Sequence, residues 1–113
     1  RRFAAVLEND KAVLKWVKPS KGDLRIYYSH EAGGYEPDFV AETAGAKFLC
    51  EPKRASEMTD DTVLAKARAA ATWCKHATDH CEKPWTYLLI PHDQIDETKT
   101  LAGLAASYTF NDS

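Results

Sequence analysis

The longest regular pattern in the chain is an apolar stripe that starts just after Thr59-Asp60-Asp61 and runs to Cys81. A hydroxyl and two carboxylates at its start suit a helix N-terminus, because they accept hydrogen bonds from free backbone N–H groups. Pro84 ends the helix, and residues 85–90 follow as an apolar run broken only by Thr86, which is typical of a strand covered on both faces. The stripe members recur at intervals of four and three residues, the spacing of one face of an α-helix: Val63, Ala67, Ala70, Cys74, Ala77 and Cys81.

Two shorter β-prone runs lie upstream, at residues 38–41 and 46–50, on either side of Glu42-Thr43-Ala44-Gly45. A glycine-containing connector of this length is typical of a β-hairpin, so we expect two adjacent antiparallel strands here. The second strand leads through the long helix into residues 85–90. A strand, a helix and a strand in this order favour a right-handed crossover and a parallel pair.

The remaining elements are shorter. Residues 1–9 carry apolar side chains at helical spacing and predict a helix. Residues 12–17 and 24–29 predict two strands, and residues 30–34 a turn that brings the chain back into the hairpin. A last short helix is predicted at residues 101–108. The fold class predicted is α/β: a helix, a β-meander, a second helix and a further strand, with helices flanking a mixed sheet of four or five strands.

Three charged side chains of the hairpin indicate a catalytic site. Asp38 begins the first run, and Glu51 and Lys53 follow the second. Because side chains alternate across a strand, Glu51 and Lys53 project from one face if the strand continues through Pro52. Two carboxylates that converge beside an ammonium can bind a hard divalent cation, while the lysine steers a water or neutralises charge on a phosphate. The pattern therefore predicts a site that cuts phosphodiesters.

An aspartate, a spacer and Glu-x-Lys on a hairpin resemble the signature of the PD-(D/E)xK nuclease superfamily. The surrounding segments are similar to the C-terminal endonuclease domain of type III restriction enzymes: Tyr-Glu-Pro-Asp-Phe-Val, Glu-Pro-Lys-Arg, the helical stretch from Lys66 to Trp73, and Leu-Leu-Ile-Pro. The similarity covers residues 3–104. It implies a restriction-endonuclease-like core with the element order α-β-β-β-α-β.

The resemblance also implies a role for the residues of the hairpin. Asp38 and Glu51 would hold the metal, and the backbone carbonyl of Pro52 would be a third oxygen ligand. Lys53 would orient the attacking water or stabilise the charge of the transition state. Arg54 is one residue further on and is expected to point to the opposite face.

Other charged residues are candidates for the same site. Glu8, near the end of the first helix, corresponds to a helical acid that this superfamily often adds to the metal site. Lys66 lies at the edge of the helical stripe, from where it would reach the active site or a DNA phosphate. Glu36 shares a strand face with Asp38 by alternation. Each of these side chains is, on the sequence alone, as readily explained as a solvated surface group.

The function that the resemblance implies is a magnesium-dependent endodeoxyribonuclease module of a type III restriction-modification system, in which Mn²⁺ can replace Mg²⁺. The implied partners are double-stranded DNA, an ATP-driven helicase or translocase segment upstream in the same polypeptide, and a modification methyltransferase subunit that supplies sequence recognition. Because the chain opens at Arg1 without a methionine, we expect a fragment of that larger subunit. The chain has no Gly-x4-Gly-Lys-Ser/Thr loop, so ATP would act only through the upstream segment.

Length and composition suit one domain over residues 1–113, with 44% hydrophobic residues for a single core. Basic residues number 15 and acidic residues 17, for a net charge of −2. This balance argues against strong DNA binding by the chain alone, because such binding comes from neutralising phosphates. Three cysteines form no dense disulfide framework, and neither a membrane-length apolar run nor a signal-peptide pattern is present, so we expect a soluble cytoplasmic protein.

Two other functions remain open: a non-catalytic interaction domain with a degenerate nuclease fold, and a nuclease on another substrate such as branched DNA or RNA. Cys74, His76, His80 and Cys81 invite a zinc interpretation. In a helix, however, the two cysteines share the apolar stripe and the histidines fall on a different side, which favours cysteines of the core. No Gly-x-Ser-x-Gly elbow supports acyl chemistry.

Overall fold

The structure is a computed structural model that describes residues 2–29 and 33–111. Short 3₁₀ turns lie at Ala55–Glu57 and His92–Gln94. The helices and strands, in chain order, are α1 Arg2–Asn9, β1 Val13–Val17, β2 Ile26–Ser29, β3 Gly33–Tyr35, β4 Phe39–Thr43, β5 Lys47–Lys53, α2 Asp61–His80, β6 Trp85–Pro91 and α3 Leu101–Tyr108.

Four strands form the central sheet, in the order β1-β4-β5-β6. β1 pairs antiparallel with β4, and β4 pairs antiparallel with β5. β5 pairs parallel with β6, and the connection that parallel strands need is made by α2. The mixed four-stranded sheet, the hairpin and the parallel pair are therefore confirmed, as is the α/β class with flanking helices.

The N-terminal strands differ from the prediction. β1 pairs with β4, whereas β2 leaves the central sheet and forms a two-stranded ribbon with β3. The expected β-meander is therefore wrong. Five strands precede α2, where the residue pattern predicted four and the element order of the resembled family implied three. Residues 30–32 of the predicted turn lie outside the described residues, but Gly33 and Gly34 belong to β3. Adjacent glycines favour turns over strands, so this strand depends on its pairing with β2.

The strands of the central sheet send alternate side chains into two apolar layers. The first layer lies between the sheet and helices α1 and α3, and its buried members are Phe3, Val6, Leu7, Phe39, Ala41, Phe48, Cys50, Leu88, Ile90, Ile95, Leu101 and Leu104. The second layer lies between the other face of the sheet, α2 and the β2–β3 ribbon. Its buried members are Ile26, Leu49, Val63, Ala67, Ala70, Cys74, Tyr87 and Leu89.

Helix α2 begins and packs largely as predicted. Asp60 caps its N-terminus, since Oδ2 accepts hydrogen bonds from the backbone N–H groups of Thr62 and Val63 at 3.0 and 3.1 Å. The first four members of the stripe are buried against the sheet. Cys81, the last predicted member, is exposed because the helix ends at His80. The stripe was therefore extended one turn too far.

No helix in the described part of the chain combines the length and the apolar character that crossing a membrane requires.

Candidate active site

The β4–β5 register explains why two acids of distant sequence position meet. Pairing between these strands ends with Phe39 opposite Cys50. One step further in the same register sets Asp38 opposite Glu51. Side chains directly opposite on antiparallel strands point to the same face, with Cβ atoms about 5 Å apart. The hairpin therefore brings the two carboxyl groups together at its open end.

Strand β5 continues past its last pair with β4, and within the described residues its neighbour there is β6. Pro52 lies in this unpaired extension, where no bond to β4 is lost although proline has no N–H group. Lys53 follows, opposite Pro91 at the end of β6. Extended backbone through Pro52 keeps Lys53 on the same face as Glu51, as the alternation predicted.

A cavity of about 210 Å³ lies over this end of the sheet. It is lined by Tyr35, Glu36, Asp38, Glu51, Lys53, Val63, Lys66 and Tyr87. These residues come from the ribbon, the segment before β4, β5, α2 and β6. Five candidates from the sequence, Glu36, Asp38, Glu51, Lys53 and Lys66, therefore lie around one cavity.

Glu51 is the one charged residue that is buried in the part of the chain the structure describes, with 4% of its surface exposed. Its Oε1 is also buried and has no hydrogen-bond partner among the described residues. Asp38, across from it, is exposed. A buried polar atom without a partner is destabilising and is rare in folded proteins. The pair therefore combines an accessible carboxylate with an inner oxygen that lacks a donor.

Burial raises the pKa of Glu51 to about 9, because the charged form loses its water. The nearby Asp38 carboxylate adds to this rise, while the ammonium groups of Lys53 and Lys66 oppose it. The strand register sets the Asp38 carboxyl group opposite that of Glu51. Since two ionised carboxylates at this distance repel, the pair is favoured at neutral pH when either a proton or a cation is held between them.

Lys53 and Lys66 bring two ammonium groups to the cavity. Within the described residues neither forms an ion pair within 4.0 Å. The Nζ of Lys66 lies over the rings of Tyr28 and Tyr35, 5.4 and 5.7 Å from their centroids. Aromatic faces hold this ammonium without satisfying its N–H donors, so it remains able to bind an anion in the cavity.

Two tyrosines complete the cavity wall. The hydroxyl of Tyr35 donates to the backbone carbonyl of Lys66 at 3.2 Å, and Tyr87 lies near it on the same cavity wall. Burial, together with the nearby charge of Glu51, raises the pKa of both phenols, so both keep their protons. Because the Tyr35 hydroxyl donates to Lys66, it does not donate to Glu51. The place of Tyr87 on the cavity wall was not predicted, since an aromatic residue in an apolar run does not reveal where its hydroxyl lies.

Glu36 lines the cavity, but its carboxylate is engaged elsewhere. Its Oε2 accepts a hydrogen bond from the backbone N–H of Gly22. Gly22 has a φ of +93°, a left-handed conformation that favours glycine. This contact ties the loop between β1 and β2 to the mouth of the cavity.

Three other predicted residues do not line the cavity. Glu8 lies on α1, which packs on the opposite face of the sheet, and its Oε2 accepts a hydrogen bond from Nε1 of Trp16 at 3.2 Å. Arg54 is exposed just after β5. Pro52 pairs with Ile90 within the sheet. The structure therefore does not bring Glu8 to Asp38 and Glu51, because the helix that carries it covers the other layer.

The donor set suits a hard divalent cation. Mg²⁺ is usually held through one or two carboxylates and keeps several waters, and Asp38 and Glu51 supply two carboxylates with one unpartnered buried oxygen. Over residues 2–29 and 33–111, no three His, Cys, Asp or Glu side chains are grouped so that they could hold a metal ion. Further ligands would therefore have to be backbone oxygens or water. The zinc interpretation likewise has no cluster of ligands: Cys74 is buried in the second layer, and Cys81 is exposed.

Comparison of the chain with models of known protein families finds no match. Searches of curated proteins and of solved structures likewise find no match.

Proposed function

We propose that the chain is a divalent-metal-dependent nuclease that hydrolyses DNA phosphodiester bonds. The observation that supports this most directly is the presence of Asp38, Glu51 and Lys53 on one cavity, with an oxygen of Glu51 buried and unpartnered. A buried acid next to a second acid destabilises the fold. Acids with perturbed pKa values in clefts are typical of functional sites.

Asp38 and Glu51 would hold the cation, which is Mg²⁺ or, in its place, Mn²⁺. When bound, the cation supplies Lewis-acid stabilisation of negative charge on the phosphate. Asp38 offers accessible oxygens at the mouth, and Glu51 offers Oε1 from inside the cavity. Because Glu51 holds a proton in the metal-free protein at neutral pH, cation binding is expected to release that proton.

Lys53 would act on the substrate. Its ammonium has three N–H donors and lies on the cavity wall beside Glu51. It would orient a water for in-line attack or neutralise a phosphate oxygen as charge accumulates there. Lys66, from α2, would hold the phosphate from another wall of the cavity. The two lysines thus oppose the carboxylates and make the cavity suitable for an anionic substrate once a cation is bound.

The finer assignment, to a restriction-endonuclease-like fold in a type III restriction-modification system, rests on the sequence motifs and agrees with a mixed sheet between helices. In that context an upstream ATP-driven helicase or translocase segment would move double-stranded DNA, and a methyltransferase subunit would recognise the sequence. The isolated chain is then expected to cut DNA slowly, because other segments supply most of the DNA binding.

Titration calorimetry with Mn²⁺ in EDTA-free buffer tests the metal site. We expect one saturable binding event for the native chain and its loss in Asp38→Ala and Glu51→Gln. Asp79→Asn removes one charge from an exposed position on α2 and should leave binding unchanged. Equal binding by all four proteins would refute the site. Absence of binding in the native chain would leave the non-catalytic interaction domain as the better description.

Cleavage of supercoiled plasmid DNA at excess protein tests the chemistry. Lys53→Ala should retain Mn²⁺ binding and lose about 100-fold or more of the cleavage rate, the usual effect of removing a group that stabilises the transition state. Lys75→Ala, an exposed lysine on α2, is the matched control and should cut at the native rate. Undiminished cleavage by Lys53→Ala would exclude the role assigned to this lysine.

A further inference from the structure

The net charge of the chain conceals a basic segment, one residue of which is hydrogen-bonded to the cavity wall. Residues 11–25 comprise β1 and the loop that leads to β2, and they contain five basic side chains and one acidic one, Asp23. Within the described residues, Lys15 is the only one of the five with an ion pair, to Glu42 at 3.5 Å. The five basic residues are Lys11, Lys15, Lys18, Lys21 and Arg25.

The loop is fixed so that Lys21 lies one residue before Gly22, which contacts the cavity wall. Ser20 and Asp23 close a tight turn through a backbone hydrogen bond of 2.9 Å, with Lys21 at its tip. The next residue, Gly22, donates its N–H to the Glu36 carboxylate, and Glu36 lines the cavity. Lys21 is exposed, and its position is determined by backbone contacts rather than by a partner for its own ammonium.

The adjoining ribbon presents an aromatic ring and a second cation on its outer face. Ile26 is buried in the second layer and Tyr28 faces Lys66, so alternation places Arg25 and Tyr27 on the outside. Tyr27 is 69% exposed, an unusual degree for a tyrosine in a strand. It pairs across the ribbon with Gly34, which has no side chain to cover the ring.

The stem of Arg25 also depends on Gly34. A Cβ atom added at Gly34 would come within 2.8 Å of Cδ of Arg25 and would also collide with its Cγ. The arginine therefore lies over this glycine, which is the strand partner of Tyr27. We call Lys21, Arg25 and Tyr27 the ribbon surface.

We propose that the ribbon surface binds an unpaired nucleic-acid strand and leads it to the cavity. Proteins that hold single strands combine cations that follow the phosphates with exposed aromatic rings on which bases stack. The ribbon surface has both, and one of its cations, Lys21, adjoins the glycine that is hydrogen-bonded to Glu36 of the cavity wall. The inference rests on the proposed function for its purpose, but strand binding itself requires no metal. A duplex offers its phosphates without an open base face, so Tyr27 would contribute to binding of the single strand alone.

Fluorescence anisotropy in EDTA buffer, where no hydrolysis occurs, tests the proposal. The probes are a fluorescein-labelled 12-nucleotide oligothymidine and a labelled 12-base-pair duplex. We expect the native chain to bind the single strand more tightly than the duplex. Tyr27→Ala should weaken single-strand binding by about fivefold or more and leave duplex binding unchanged. Leu14→Ala, another apolar side chain that is 62% exposed, is the matched control and should change neither.

The cations are tested by charge reversal. Lys21→Glu with Arg25→Glu should weaken binding of both probes and should reduce the salt dependence of single-strand binding by about 1.4 in log–log slope, or about 0.7 for each lost phosphate contact. Lys75→Glu with Lys99→Glu makes the same charge change at exposed positions away from the ribbon and should have a much smaller effect. Gly34→Ala should displace Arg25 and weaken binding without any change of charge.

The outcomes separate this proposal from the metal site. Each ribbon variant should bind Mn²⁺ as the native chain does, because none of the changed residues lines the cavity. Strand binding that depends on Tyr27 supports the ribbon surface even if calorimetry finds no metal site. Mn²⁺ binding together with equal effects of Tyr27→Ala and Leu14→Ala overturns the ribbon surface alone. Absence of oligonucleotide binding by the native chain also overturns it.

Discussion

The two faces of the central sheet are built from the same strands but bury different kinds of side chain. In β5, Phe48 and Cys50 enter the first layer, whereas Leu49 and Glu51 enter the second. The first layer buries apolar side chains throughout. The second layer is apolar over most of α2, but at the open end of the hairpin it gives way to a cavity with carboxyl, phenol and ammonium groups.

The difference arises from the segments that cover each face, not from the strands. At the same end of the sheet, the chain after β6 places Ile95 into the first layer with 1% exposure, so that face is closed. On the second face, the ribbon and α2 meet there through Tyr35 and Lys66 and leave a space between them. A buried acid is tolerated where such a space lets a proton or a cation reach it.

The largest effect on stability is expected from a cavity made in the first layer. Leu88→Ala removes a side chain with no exposed surface from the middle of the first layer and should lower the free energy of unfolding by about 2–5 kcal/mol. Urea denaturation at neutral pH measures this change. In the protein that remains folded, Mn²⁺ affinity should be unchanged, because the cavity lies on the other face. A large loss of Mn²⁺ affinity would mean that the two faces are not independent.

A second prediction concerns pH and the second face. The pKa of Glu51 is raised from its ordinary value of 4.5 to about 9 in the folded, metal-free protein. Between these two pKa values the folded state keeps a proton that the unfolded state has released. The contribution of this proton to the free energy of unfolding is therefore complete below about pH 4.5 and is lost as the pH rises towards 9. Between pH 5 and 7 this loss should be about 2–3 kcal/mol, at about 1.4 kcal/mol per pH unit.

Urea denaturation in EDTA across that pH range measures the loss. Glu51→Gln cannot ionise, so its stability should vary less over the same range, and at pH 7 it should be more stable than the metal-free native chain. Added Mn²⁺ should raise the free energy of unfolding of the native protein at pH 7 to 8 and should not raise that of Glu51→Gln. A native chain whose stability is as insensitive to pH as that of the variant would show that Glu51 is not desolvated.

The fold was predictable where a signal lay within one continuous segment. The periodicity of α2, the capping by Asp60 and the apolar run of β6 each identify an element from neighbouring residues, and their order then implies the parallel pair. β3 was not predictable in this way. Gly33 and Gly34 form a strand because β2 pairs with them. Strand β2 is in turn held in place by the burial of Ile26 against α2.

The site divides along the same line. Asp38, Glu51 and Lys53 lie on one hairpin, so turn length and alternation were enough to predict that they meet. Glu8 could not be placed, because a helix pattern does not reveal which face of the sheet the helix will cover. Tyr87 of β6 and Tyr35 of the ribbon line the same cavity, and no local pattern connects those two elements.

Tyr35 gives the third and smallest prediction. Tyr35→Phe removes the hydrogen bond to the carbonyl of Lys66 and should lower the free energy of unfolding by about 1 kcal/mol. Without the Tyr35 hydroxyl near it, the hydroxyl of Tyr87 on the same cavity wall is expected to donate to Glu51, so Mn²⁺ binding should weaken several-fold.

Urea denaturation and Mn²⁺ calorimetry on the same samples separate these two effects. Tyr27→Phe removes a hydroxyl from an exposed ring and should change stability by less than about 0.5 kcal/mol, with Mn²⁺ affinity unaltered. Weaker Mn²⁺ binding in Tyr35→Phe, without a comparable change in Tyr27→Phe, would mean that the Tyr35 hydroxyl keeps Tyr87 from donating to Glu51. Unchanged Mn²⁺ affinity in Tyr35→Phe would instead limit Tyr35 to joining the ribbon to α2.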